Sequence, residues 1–162
     1  MTTFHNITTY SPEETIHLGY CIGKRLSQGH IVALTGHLGA GKTWLSRGIG
    51  DGLGIQKHNH IHSPAFDLIH EHPGKIPMYH MDFYRLDNFS REDELWIEEY
   101  IYSKEGVCVI EWADKFMMDL LHNYLKINLK MNSSDTIRQI NFHAVGNEYE
   151  SILEKIITDY RD

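Results

Sequence analysis

The stretch Gly36-His37-Leu38-Gly39-Ala40-Gly41-Lys42-Thr43 constrains this chain more than any other. It follows the apolar run Ile31-Val32-Ala33-Leu34-Thr35 and precedes a helix-like segment. Strand, glycine-rich turn, Lys-Thr and helix in that order describe a phosphate-binding loop. Glycine at 36, 39 and 41 lets successive backbone N–H groups wrap a polyphosphate, which side chains there would prevent. Lys42 supplies the cation for β- and γ-phosphates, and the Thr43 hydroxyl suits Mg²⁺. The helix beginning at Lys42 aims its positive N-terminal end at the anion. Gly36, Gly39, Gly41, Lys42 and Thr43 are therefore the residues this chemistry requires. A glycine-rich turn with an idle lysine would need neither flanking element, and both are present.

Such a loop projects from a sheet covered by helices, so the expected fold is α/β, a P-loop NTPase-like three-layer sandwich. Its central sheet should be mostly parallel, with antiparallel additions near the C-terminus. At 162 residues, 41% apolar and 23% charged, one domain spanning 1–162 is expected. The N-terminus lacks a basic-then-apolar signal pattern and no apolar run suits a bilayer, so a cytoplasmic location is expected. Cys21 and Cys108 sit in apolar surroundings and read as buried thiols, not a disulfide. A net charge of −7 with only 15 Lys and Arg argues against strong direct nucleic-acid binding.

Along the chain, Phe4 to Ile7 reads as a short strand. Ser11 then caps a helix with Pro12 at its first position and Glu14 completing a capping box, running toward a stop at Gly29. The helix after the loop carries Gly48, Gly50 and Gly52, which permit close packing against a sheet. His58, His60 and His62 alternate, but their segment lacks strand-forming neighbours and a nearby thiolate. They read as solvated loop histidines in preference to a zinc site. A strand enters at Asp67 to His70.

Two carboxylates end apolar strands. Ile76 to Met81 leads to Asp82, and Val107 to Ile110 leads to Glu111. In open α/β sheets ligands gather at strand carboxyl ends, so both acids should face the crevice of the phosphate loop. Asp82 has a structural alternative, as a capping carboxylate or the ion-pair partner of Arg85. Glu92 to Tyr102 reads as an acidic surface helix and Phe116 to Leu121 as a short one. Tyr124 to Lys130 and Thr136 to His143 form a hairpin around Asn132 to Asp135, before a terminal helix holding Ile152 to Ile157. Nothing beyond Trp112 stands out as chemistry.

Taken together, the loop GHLGAGKT, the SPAF element at Ser63 to Phe66, YHMDFYRL at Tyr79 to Leu86 and VIEWAD at Val109 to Asp114 resemble the TsaE (YjeE) family. These are small bacterial P-loop ATPases required for N6-threonylcarbamoyladenosine in tRNA. The resemblance implies ATP and Mg²⁺ as cofactors, with Leu38 through Thr43 on the phosphates and Thr43 and Glu111 on Mg²⁺. Lys42, Asp82 and Glu111 would be catalytic, Asp82 or Glu111 orienting water. It further implies importance for Trp112 and for Ser63 in a switch-like loop, an approach of Ser11 and Pro12 to the adenine, and TsaD- and TsaB-like protein partners. Three departures stand out. Ala65 replaces the usual threonine of Ser-Pro-Thr-Phe, which implies slowed hydrolysis; His37 replaces an acidic residue; and Leu120-Leu121-His122 lacks a common proline.

Two rival classes share the loop. A small-molecule kinase normally carries an arginine-rich lid, whereas this chain has six arginines and no basic cluster of that kind. A nucleotide-gated binding module with little hydrolysis is favoured by Ala65 and the acidic surface. With no confident arginine finger, the main reading is an ATPase that is weak alone and partner-dependent.

Overall fold

The computed structural model describes residues 2–56, 61, 68–115, 121–132 and 134–162. Seven strands form one sheet in the order β1-β7-β6-β2-β5-β4-β3. In the chain these are β1 (Thr2–Thr9), β2 (Ile31–Thr35), β3 (Ile69–His72), β4 (Met78–Asp82), β5 (Val107–Glu111), β6 (Tyr124–Met131) and β7 (Arg138–Val145). The helices are α1 (Pro12–Arg25), α2 (Lys42–Gly52), α3 (Arg91–Ser103) and α4 (Asn147–Arg161).

The sheet centre is parallel: β6 with β2, β2 with β5, and β5 with β4. Antiparallel pairing lies at both edges. The C-terminal hairpin supplies part of it, as expected, and β1 on β7 and β3 on β4 add the rest. β1 is longer than its sequence pattern suggests because it pairs with β7 along its whole length, Thr2 opposite Val145 through Thr9 opposite Arg138.

Alternation along the central strands divides the core. Val32, Leu34, Val107, Val109, Leu125 and Ile127 pack with Leu18 and Ile22 of α1, Leu45 and Ile49 of α2, and Leu153 and Ile156 of α4. Ile31, Ala33, Met81, Cys108 and Ile110 turn to the other face and pack with Ile97 and Ile101 of α3. Successive strand side chains point to opposite faces, so apolar runs without alternation produce a sheet covered on both sides. Helix, sheet and helix make the three expected layers. Both cysteines are free and buried, and among the described residues no helix is long and apolar enough to cross a membrane.

Helix starts follow their caps. The Ser11 hydroxyl accepts the Glu14 N–H at 3.1 Å, while the Glu14 carboxylate accepts from Tyr10 N at 2.8 Å instead of from the cap residue itself. α1 stops at Arg25, short of Gly29, because Leu26 is extended and buries its side chain. Ser90 and Asp93 form a reciprocal capping box that starts α3.

The glycines of α2 differ from expectation in what they meet. A Cβ at Gly50 would meet the Ile61 side chain at 2.3 Å before Met78 of β4 at 3.6 Å, and Gly48 and Gly52 lie against α1. A Cβ at Gly48 would come 2.1 Å from the Ile16 carbonyl oxygen, so the helices touch backbone to backbone there. That contact fixes where α2 begins relative to the sheet. The loop feeding α2 is thereby fixed too.

Candidate functional site

β2 delivers the glycine-rich loop and α2 starts at its end. Gly36, Gly39 and Gly41 have φ of 142°, 80° and 105°. A Cβ at Gly36 would come 2.4 Å from the Leu129 carbonyl oxygen on β6, which excludes any side chain where the loop leaves the sheet. Beyond it, the Ala40 N–H donates to the His37 carbonyl at 3.0 Å.

Lys42 is 5% exposed. Its Nζ donates to the carbonyls of Gly36 at 2.6 Å and His37 at 2.8 Å, and stands 4.2 Å from the centre of the Trp112 ring. Burial pushes the Lys42 pKa below its ordinary value, against the opposing pull of the Glu111, Asp82 and Asp114 carboxylates.

Asp82 and Glu111 each end a strand, and they are register partners on the parallel pair β4 and β5. Glu111 shares the sheet face of Val107 and Val109, the face that carries α2. Its Oε1 accepts from Thr43 Oγ1 at 3.1 Å, and its Oε2 from Ser46 Oγ at 3.3 Å and from His80 Nε2. Asp82 accepts from the Tyr84 backbone N–H at 2.8 Å, so it does cap the chain as it leaves β4.

These groups converge on a cavity of about 370 Å³ lined by Leu38 through Thr43, Asp82, Glu111, Tyr84, Arg85 and Trp112. Trp112 has φ of 58°, a left-handed conformation costly for a bulky residue. It places the indole 5.0 Å from the Tyr84 ring and against Lys42 Nζ, both Trp112 and Lys42 lining the cavity. Trp112 also borders a second cavity of about 400 Å³ behind the loop, with Lys126 and Lys130.

The set fits a magnesium polyphosphate. A cradle with no room for a Cβ at Gly36 and an enclosed ammonium suit the phosphates; a hydroxyl and a carboxylate within 3.1 Å of each other are hard oxygen donors suited to Mg²⁺.

Of the residues singled out from sequence, the structure brings Leu38 to Thr43, Asp82, Glu111 and Trp112 together. Ser11 and Pro12 start α1 and do not line this cavity. Ser63, the rest of the SPAF element, and His58, His60 and His62 lie outside the described residues, as does most of the helix expected at Phe116 to Leu121. Three residues went unnoticed. Ser46 and His80 hold Glu111, and Arg138 reaches the loop from β7, donating to the carbonyls of Ala40 and Gly39. Arg138 lies beyond Trp112, in the part of the chain where the sequence offers no candidate chemistry. For His80 a signal existed: it stands two residues before Asp82 in one strand, on the same face.

The family model described as threonylcarbamoyl adenosine biosynthesis protein TsaE matches residues 9–140. A Bacillus subtilis protein named tRNA threonylcarbamoyladenosine biosynthesis protein TsaE is 38% identical over 149 residues, 91% of this chain and 90% of that one. A Treponema pallidum protein of the same name is 37% identical over 121 residues, 75% and 87% of the two chains. The crystal structure of Bacillus subtilis YdiB superposes with a TM-score of 0.82 at 34% identity, covering 98% of this chain and 97% of its own.

Proposed function

The chain belongs to the TsaE family of tRNA threonylcarbamoyladenosine biosynthesis proteins, and on that premise we propose that it binds ATP with Mg²⁺ and hydrolyses it in support of that modification. The observation that carries the proposal is the Thr43–Glu111 contact at 3.1 Å beside a loop whose Lys42 is buried. When bound, Mg·ATP supplies the phosphoryl group and a metal charge that offsets the negative charge of its phosphates. The chain supplies position. Backbone N–H groups of the loop would hold the phosphates, with the Lys42 ammonium as the cation beside them. Thr43 and Glu111 would hold the metal, and Ser46 and His80 keep Glu111 in place. Asp82, its register neighbour, is the acid assigned to orient water.

The described cavity wall includes one arginine, Arg85. We assign the missing charge stabilisation to TsaD- and TsaB-like partners, which makes turnover by the chain alone slow. The setting is cytoplasmic, where tRNA is modified. Ala65, in place of the family's usual threonine, supports a second reading, a nucleotide-gated binding module that scarcely hydrolyses.

ATP turnover with Mg²⁺, measured for the chain alone and with its TsaD and TsaB counterparts, separates the two. Stimulation by partners that disappears in Glu111→Ala is the expected result. Nucleotide binding without turnover in either setting selects the gated module, and absence of nucleotide binding sinks both.

A further inference from the structure

The strand that closes the hairpin sends a charged side chain to the phosphate loop. Arg138 opens β7 and is 3% exposed. Its Nε donates to the Ala40 carbonyl at 2.9 Å and its Nη2 to the Gly39 carbonyl at 3.2 Å. Nη1 donates to the carbonyls of Asp135 at 2.6 Å and Ile137 at 3.1 Å, within its own hairpin. One rigid guanidinium thus ties the turn between β6 and β7 to the middle of the loop. Burying a cation is costly unless its protons are bonded, so a position that needed only filling would favour an apolar side chain.

The geometry has a consequence for the loop amides. Peptides are planar, and the described ones are trans, so a carbonyl turned toward Arg138 turns the N–H of the next residue the opposite way. With the Ala40 carbonyl on Nε, the Gly41 N–H points away from the guanidinium. With the Gly39 carbonyl on Nη2, the Ala40 N–H is set for its bond to His37. Glycine at 39 and 41 leaves these peptides otherwise free to turn over.

We propose that Arg138 is a positioning residue of the nucleotide site, holding the Gly39–Ala40 and Ala40–Gly41 peptides in the one orientation that leaves the Gly41 N–H for a phosphate oxygen. The proposal rests on the nucleotide-binding reading above. Arg138 does not line the cavity and is no arginine finger; it acts through the backbone. Lysine cannot substitute, because a single ammonium lacks the planar fork that spans loop and hairpin together.

The test measures Mg·ATP affinity by calorimetry for the wild type, Arg138→Lys and Arg138→Ala, with thermal unfolding recorded for each. Arg138→Ala is also titrated with guanidinium chloride well below denaturing concentration. Arg138→Lys is expected to melt close to wild type yet bind about tenfold more weakly, as loss of charge-assisted bonds predicts. Guanidinium should restore part of the affinity of Arg138→Ala and none of that lost in Lys42→Ala. A folded Arg138→Lys with wild-type affinity overturns the proposal. So does a folded Arg138→Ala whose weakened binding guanidinium leaves unchanged. Should Arg138→Ala fail to fold, Arg138→Lys decides alone. A wild-type chain that binds no nucleotide refutes the underlying reading and this proposal with it, a result visible before any variant is compared.

Discussion

His80 and Glu111 meet across the neighbouring parallel strands β4 and β5, with the imidazole 0% and the carboxylate 2% exposed. The carboxylate that we assign to the metal is therefore braced from beneath the site. His80→Ala leaves a buried acid without that brace and is expected to cost about 2 kcal/mol of stability, the scale for a buried acceptor that loses its donor. His80→Gln retains a donor and should recover part of it. Urea unfolding of both variants reads this directly, and an unchanged midpoint in His80→Ala shows that the contact contributes nothing.

Lys42 has the opposite balance between stability and function. Burial disfavours its charge, so Lys42→Ala should unfold no more readily than wild type. Nucleotide affinity should fall by about 2 kcal/mol or more, roughly thirtyfold, the value of bonds to a charged group. Calorimetric titration with Mg·ATP beside a thermal melt checks both halves. Undiminished affinity in the variant removes the loop assignment.

The backbone contact between α1 and α2 gives a prediction that helix propensity alone gets wrong. Alanine is the better helix former by about 1 kcal/mol. Gly48→Ala nevertheless meets the Ile16 carbonyl at 2.1 Å and must push the helices apart. A net loss of about 2 kcal/mol is expected from overpacking. Chemical denaturation measures it, and a stabilised variant would show that the helices yield freely.

Alkaline pH should weaken the fold through buried protons. Burial pushes the Cys108 thiol from 9.0 to about 12, and it pushes Tyr149 from 10.0 to about 12. Between those values the folded chain keeps protons that the unfolded chain releases. The stabilising contribution is complete below pH 9.0 and is lost as pH rises through about 12. Each such proton adds a slope approaching about 1.4 kcal/mol per pH unit. Cys108→Ala should flatten the fall in unfolding free energy above pH 9.0, and an unaltered slope refutes the assignment.

Legibility in the sequence followed the range of the chemistry. The loop is readable because its glycines, Lys42 and Thr43 are chain neighbours. Asp82 and Glu111 are readable because a carboxylate ending an apolar run has a limited set of uses. His80 has no role legible within its motif, since its partner lies 31 positions away and their meeting depends on strand register. Arg138 looked like part of an ordinary alternating hairpin. Only the sheet order, which sets β6 beside β2 and β7 beside β6, brings it within reach of the loop. The edges were obscured for the same reason: nothing local tells β1 that its partner is β7. The α2 glycines announced a close approach without saying that α1, not the sheet, would be the main neighbour.

The Arg138 contact spans 99 positions of chain, and the Gly36 floor is supplied by Leu129. During synthesis the whole Gly36 to Thr43 motif leaves the ribosome long before the strands that enclose it. A nascent or truncated chain ending ahead of the last hairpin carries every residue of the motif and lacks the surfaces that give it form. Translation must run past β6 and β7 before this loop acquires its shape.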